Sequence, residues 1–276
     1  MYNQTECLRL NAPELASVAS LVHRTPNVAV SRLLRQSQAR VAELTSANKR
    51  KDEFLAMLSH DLRTPLSVLR NAVSLLSNPA GETSARQRVE ALVERQLRQM
   101  TKLVDDLLDV SRITNGRVHL HCERLDLRVA VGNAIQTLAS DINGRRHRLV
   151  TAVPDAPVWV QADPVRLEQV FVNLFTNASK YTDEGGELSL SVHESDGQAV
   201  VRIRDSGIGI TPGALPYVFD LFKQANEADP RSKSGLGVGL AVVRKLVELH
   251  GGSVTATSPG HGAGSEFTVR LPTTTR

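Results

Sequence analysis

The sequence predicts two parts: an α-helical hairpin that forms a dimeric four-helix bundle, followed by an α+β two-layer sandwich. Three observations predict it. A helical apolar period starts near Val30, breaks at Asn78-Pro79-Ala80-Gly81 and resumes to Val110. Near Asn115-Gly116 it gives way to the two-residue alternation of half-buried strands. Beyond that point short strands and helices interleave without strict βαβ alternation.

A chain of 276 residues suits two domains and a short extra segment. The divisions read as 1–48 (an N-terminal segment with a possible coiled-coil signalling helix), 49–115 (the hairpin) and 118–273 (the sandwich). Apolar residues make up 41% and aromatics only 4%, so the cores should be aliphatic. A net charge of +4, from 33 basic and 29 acidic residues, does not argue for a nucleic-acid partner. The basic stretch Ser31 to Lys51 reads as a solvated helix face. Cys7 and Cys122 lie far apart with no partner pattern, which indicates neither a disulfide framework nor a zinc site. No run approaches the roughly 18–20 apolar residues that span a bilayer, and MYNQTECLRL lacks a basic-then-apolar leader pattern. The expectation is a soluble, cytoplasmic protein without a direct membrane span.

Residues 1–29 are weakly patterned, with a short helix expected from Pro13 to Val22. From Val30, Leu34, Val41, Asn48, Leu55 and Leu62 fall at heptad position a, with Ser37, Leu44, Lys51 and Leu58 at d. The same pattern suits a helix packed within its own chain; a partner helix from a second copy is the reading adopted. After the break, Thr83 or Ser84 can cap a second helix carrying Val89, Leu92, Val93, Gln96, Met100, Leu103, Leu107 and Val110 on one stripe. Two such hairpins would close the bundle.

In the second part, Val118, Leu120 and Cys122 alternate with His119 and His121, which reads as a strand with surface histidines. A helix from Asp126 to about Asn143 follows, then strands near His147–Val153 and Val158–Val160. Asp163 should cap a helix from Pro164 to Tyr181, with proline at its first position. Strands at Glu187–His193 and Ala199–Arg204 flank an Asp196-Gly197 turn. A helix around Val238–Leu249 and strands at Ser253–Thr257 and Ser265–Leu271 complete the chain.

Three stretches carry chemistry. In NLFTNASKY, Asn173, Asn177, Lys180 and Tyr181 align at i, i+4, i+7 and i+8 beside the buried stripe. Polar groups there cost desolvation unless something occupies them. An amide oxygen suits Mg²⁺ and an ammonium suits phosphate; the alternative is a helix edge whose polar groups bond one another. In DSGIGI, Gly207 and Gly209 permit a tight bend and close ligand approach, and Asp205 offers an acceptor for an exocyclic amine; an ordinary turn fits equally. In SGLGVGLAVV, Gly235, Leu236, Gly237 and Gly239 lead into a helix whose free N–H groups could cradle phosphate. The polar stretch before it, from Lys223 to Ser234, has the texture of a lid, with Lys223 as a candidate phosphate contact.

The order of these stretches, with SHDLRTPL at residues 59–66, resembles the bacterial sensor histidine kinases of two-component systems. SHDLRTPL resembles the family's phosphoacceptor box, NLFTNASKYT the N box, DSGIGI the G1 box, VFDLF the F box and GLGVGLAVV the G2 box. The resemblance covers about Arg50 to Pro272. It implies a phosphoacceptor and dimerisation hairpin joined to a Bergerat-type ATP-binding sandwich. It further implies ATP and Mg²⁺ as cofactors, a homodimer, and a response regulator receiver domain as partner. His60 would accept the phosphoryl group, with Asp61 as the adjacent acid where many relatives carry Glu. Asn177 would ligate Mg²⁺, Asn173 and Lys180 would support the phosphates, and Tyr181 would lie near the sugar or base. Asp205 would bond the adenine amine, and the glycines would shape its pocket and bound the phosphates. Phe219 and Phe222 either anchor the lid or pack the core. Thr64, one turn after His60, would orient water for dephosphorylation of the regulator. The rivals are a nucleotide hydrolase of the gyrase and Hsp90 superfamily and a non-catalytic nucleotide-gated scaffold. The hydrolases place a glutamate base four residues before the metal-binding asparagine, where this chain has Asn173.

Overall fold

The computed structural model describes residues 28–76, 83–114, 116, 118–223 and 237–274. Two long helices open it, α1 (Val28–Leu76) and α2 (Thr83–Thr114). The Pro13–Val22 helix and the Asn78–Gly81 break lie outside the described residues. Residues 32–42 of α1 are exposed, including the heptad positions Leu34 at 58% and Val41 at 59%. Leu58 and Leu62, at d and a, are instead partly buried against the core. The helix continues through Pro65, which is itself buried. On α2 the predicted stripe is buried or half-buried from Val89 to Val110, while Leu97, Val104 and Leu108 beside it are exposed.

The sandwich comprises β1 (Glu123–Asp126), α3 (Leu127–Gly144), β2 (Arg148–Ala152), β3 (Trp159–Ala162), α4 (Pro164–Tyr181), β4 (Glu187–Ser195), β5 (Gln198–Asp205), α5 (Gly239–Leu249), β6 (Ser253–Thr257) and β7 (Ser265–Pro272). Five strands form one sheet in the order β2-β4-β5-β7-β6, parallel only between β2 and β4. Leu188, Leu190, Val201, Ile203, Phe267 and Val269 join Leu167, Phe171 and Leu174 of α4 and Val243 and Leu246 of α5 in one core. The opposite sheet face carries exposed Arg202, Arg204 and Thr255. A sheet that is apolar on one side and polar on the other makes the predicted two layers. Asp196 and Gly197 close the β4–β5 hairpin at φ 54° and 71°, as that dipeptide's two-residue turn requires.

One strand is displaced from its expected place. Residues 118–122 form no strand; β1 begins at Glu123 and pairs antiparallel with β3, Glu123 opposite Ala162. Alternation makes a segment fit for a strand, but a strand needs an edge to pair with, and β3 offers only four residues. The segment before it is tied by side chains instead: the His121 N–H donates to Asp163 and the Gln161 amide donates to the Cys122 carbonyl. Cys122 is therefore exposed rather than filler. His119 and His121 are exposed as expected.

Candidate nucleotide site

Helix α4 supplies the first wall. The Asp163 carboxylate caps it, accepting from the N–H groups of Val165 and Arg166 at 3.1 Å, and Pro164 occupies its first position. Burial acts to raise the Asp163 carboxyl, but the donating backbone N–H groups of His121, Arg166 and Val165 outweigh it and hold its pKa below the usual value. Beside the buried stripe, Arg166, Gln169, Asn173, Asn177 and Lys180 recur every three or four residues on one face. Asp109 of α2 engages the start of this stripe: Arg166 Nη1 lies 3.1 Å from its Oδ1, and Gln169 Nε2 donates to its Oδ2. Asn173 is buried and Asn177 half-buried, and neither amide bonds a described residue. Lys180 and Tyr181 do bond one another, with Nζ 3.2 Å from the phenol oxygen and 4.7 Å from the ring centre.

The end of α4 is held from three sides. The Thr182 hydroxyl donates to Ala178 O at 2.7 Å, the buried His147 ring donates through Nε2 to Ser179 O at 3.1 Å, and the Ile208 N–H donates to Tyr181 O at 3.1 Å. Carbonyls that the last helical turn leaves open are thereby satisfied, and DSGIGI is tied directly to α4.

Asp205 ends β5. Ala199, Val201 and Ile203 face the core, and the same alternation sends Asp205 inward, where it is only 4% exposed. Its Oδ1 accepts from the N–H groups of Gly207 at 2.9 Å and Ser265 at 3.3 Å, and its Oδ2 accepts from the Ser265 hydroxyl. Burial raises its pKa above the usual value despite the Ser265 and Gly207 hydrogen bonds. The loop after it is pressed between two backbones. A Cβ at Gly207 would stand 2.3 Å from Tyr181 O, and one at Gly209, where φ is 68°, 2.0 Å from Gly260 O. No side chain fits either place, so DSGIGI is more than an ordinary turn. Ser258 completes the stitching by accepting from the Ile210 N–H at 2.9 Å and donating to Gly264 O at 2.7 Å.

The third wall is α5 and its approach. The Phe219 and Phe267 rings meet edge to face at 6.1 Å, which ties the F-box segment to the core. Phe222 adopts φ 66° and donates its N–H to Gly237 O at 3.1 Å, which ties the end of the F-box segment to the approach of α5. Lys223 is exposed, its ammonium 4.5 Å from the Tyr217 ring centre. Gly239 begins α5 so close to α4 that a Cβ there would touch the Asn173 amide at 3.9 Å. The structure thus carries Asn173, Asn177, Lys180 and Tyr181 on α4, Asp205 at the end of β5, Gly207 and Gly209 in the loop after it, Lys223 beside Gly237 ahead of α5, and Gly239 at the start of α5. Gly235 and Leu236 lie outside the described residues. His60, Asp61 and Thr64 fall on α1, their side chains likewise outside those described.

Sequence reasoning missed Ser265, His250, His147 and Asp109. Ser265 had a signal: counting back by twos from Leu271, Val269 and Phe267 puts it on the core face opposite Asp205. The other three act across the chain and carry no local pattern.

Hydrogen-bonding amides left open, a buried carboxylate with a lone pair to spare and close-packed glycines are groups of the kinds that can hold a nucleotide. Residues 162–275 match the family described as histidine kinase-, DNA gyrase B- and HSP90-like ATPase, and residues 50–116 the His Kinase A phospho-acceptor domain. Sensor histidine kinase TrcS of Mycobacterium tuberculosis is 36% identical over 249 residues, covering 88% of this chain and 48% of that protein. Sensor protein KdpD of Escherichia coli is 33% identical over 238 residues, with 86% and 26% covered. Full-length ShkA, solved in complex with AMPPNP, superposes at TM-score 0.60 with 29% identity, over 81% of this chain and 46% of that one. Acinetobacter baumannii histidine kinase AdeS shares the fold at TM-score 0.58 and 23% identity, over 78% of this chain and 98% of that one. The chain belongs to the sensor histidine kinases of two-component systems. It spans about half or less of the length of these curated relatives.

Proposed function

We propose that the chain is an ATP-dependent protein-histidine kinase that phosphorylates His60 and passes the phosphoryl group to an aspartate of a response regulator receiver domain. One observation carries this over hydrolysis: the residue one turn before Asn177 is Asn173, whose amide cannot take a proton from water. The cleft is furnished to hold ATP and to leave activation of the nucleophile to His60.

In this reading Asp205 accepts from the adenine amine, and the close-packed Gly207 and Gly209 let the base lie against backbone. Lys180, Lys223 and the N–H groups opening α5 offset charge on the phosphates. The open amides of Asn173 and Asn177 fit a hydrated Mg²⁺, with Asn177 as ligand. Such an ion would supply positive charge that offsets the charge on the phosphates. Asp61 orients the His60 ring; one imidazole nitrogen attacks the γ-phosphorus, an N–P bond forms and the bond to the β–γ bridging oxygen breaks, releasing ADP. The receiver carboxylate then attacks the same phosphorus, the N–P bond breaks and His60 is regenerated. Thr64 would orient water for the regulator's dephosphorylation. Two copies would pair through the hairpin, which explains an exposed stripe of Leu97, Val104 and Leu108. Use of ATP fits a catalytic part that faces the cytoplasm; no described helix is long and apolar enough to cross a membrane.

Incubation with γ-labelled ATP should yield an acid-labile, alkali-stable phosphoprotein that is lost in His60→Gln. Phosphate release without labelling would overturn the kinase reading in favour of hydrolysis. Unchanged regulator dephosphorylation in Thr64→Ala would remove the phosphatase role alone.

A further inference from the structure

The ring of His250, at the end of α5, is buried and uses both nitrogens. Nδ1 lies 2.7 Å from the Leu246 carbonyl, and Nε2 lies 3.0 Å from the Asp163 N–H. A carbonyl can only accept and an N–H can only donate. The ring therefore carries its hydrogen on Nδ1 and a lone pair on Nε2.

These contacts join two helices at the end remote from the nucleotide cleft. Asp163 caps the start of α4, and His250 follows the last residue of α5. Ten residues separate Asp163 from Asn173, about 15 Å of helix, and eleven separate Gly239 from His250, about 16.5 Å. The two helices thus run side by side in opposite directions, which brings the Asn173 amide against Gly239 at the other end. The apolar side chains that both helices give to the shared core, among them Val170, Leu174, Val243 and Leu246, pack non-directionally and tolerate sliding. A hydrogen bond confined to about 2.7–3.2 Å does not.

We infer that His250 is a positioning residue for the nucleotide site: its ring fixes the axial register of α4 against α5, and so places Asn173 and Asn177 opposite the glycine turn. This rests on the kinase reading of that cleft. A slip of one residue moves Asn177 by about 1.5 Å along the axis, and misplacement of about 1 Å can cost a hundredfold in rate. The loop after Asp205 is bonded to the end of α4 through the Ile208 N–H and Tyr181 O, so base recognition stays with α4 when its register against α5 changes.

The test uses the full chain and three variants. His250→Gln places an amide oxygen near the Nε2 position and keeps an acceptor for the Asp163 N–H. His250→Asn can reach only the Leu246 carbonyl, and His250→Phe keeps ring volume with no polar atom. The expectation is labelling of His60 within about threefold of wild type for Gln. For Asn and Phe it is a 10- to 100-fold lower kcat, with KM for ATP and ADP affinity changed less than threefold. Folded Asn and Phe variants labelling at the wild-type rate would overturn the inference. So would a loss in which KM rises with kcat unchanged. An independent measurement needs no variant: long-range ¹H–¹⁵N correlation of the wild-type ring should show hydrogen on Nδ1, and hydrogen on Nε2 would overturn the proposal. Wild type that binds ATP without labelling His60 would instead strike the kinase reading, and the ring measurement would still judge the register lock.

Discussion

Replacing Asp205 with asparagine separates what the carboxylate does for the fold from what it does for a nucleotide. Its Oδ1 accepts two N–H groups, at 2.9 Å from Gly207 and 3.3 Å from Ser265, and its Oδ2 accepts the Ser265 hydroxyl. With the amide oxygen at the Oδ1 position, both N–H bonds survive. The new NH₂ then faces Ser265, whose hydroxyl can turn and accept. Stability should therefore change by no more than about 1 kcal/mol. An adenine amine meets a different surface, because the acceptor it needs has become a donor. A hydrogen bond to a charged group contributes about 1.5–3 kcal/mol, which raises the ATP dissociation constant about 10- to 150-fold. Calorimetric titration with a non-hydrolysable ATP analogue, alongside thermal melting, reads both quantities. Affinity within twofold of wild type in a folded Asp205→Asn chain would refute the assignment. A pH series adds a second readout. Burial raises the Asp205 pKa, so ATP affinity should fall as pH drops through a value above the usual aspartate range, and Asp205→Asn should lack that fall. The stability sign is opposite: a raised folded pKa stabilises fully below the unfolded pKa, and that contribution is lost as pH rises through the folded value. The variant should gain on wild type in melting temperature as pH increases.

Asn177→Ala should abolish His60 labelling yet shift stability by less than about 0.5 kcal/mol, since its amide bonds no described residue; a large drop in melting temperature would show that the amide is structural. Asp109→Ala should leave the Arg166 guanidinium, 22% exposed, without its acidic partner and with only the Gln169 carbonyl at 2.8 Å, at a cost of about 1–2 kcal/mol after discounting for solvent. Amide exchange should quicken in residues 164–170 while ADP affinity holds within twofold, and unchanged exchange there would refute the coupling of α2 to α4. Acidification should destabilise the start of α4 as pH falls through the lowered Asp163 pKa, since a depressed folded value stabilises above the unfolded pKa; exchange at Val165 and Arg166 that does not respond to acid would contradict it.

Local rules reached far into this chain. Helix α4 runs from Pro164 to Tyr181 and β6 from Ser253 to Thr257, both as read from the sequence. A capping aspartate, a proline at the first turn and an apolar stripe act within one or two helical turns of each other. The Asp196-Gly197 hairpin was equally legible, because positive φ at both residues is a property of the dipeptide itself. The candidate site was readable for a related reason: its amides and glycines cluster in short segments whose order along the chain is distinctive. The Val118–Cys122 strand misled because alternation describes one strand, whereas pairing depends on the length of another.

By itself, then, the sequence determined most of the elements, the helical part followed by a two-layer sandwich, and the candidate residues for a nucleotide. Each follows from forces between near neighbours along the chain. Only the tertiary structure decided that Ser265 lies against Asp205, 60 residues away, and that His250 accepts from the Asp163 N–H, 87 residues away. It alone showed Asp109 at the start of the asparagine stripe. Such bonds depend on how sheet and helices stack, and a hydroxyl or imidazole carries no periodic mark of the partner that folding will bring to it.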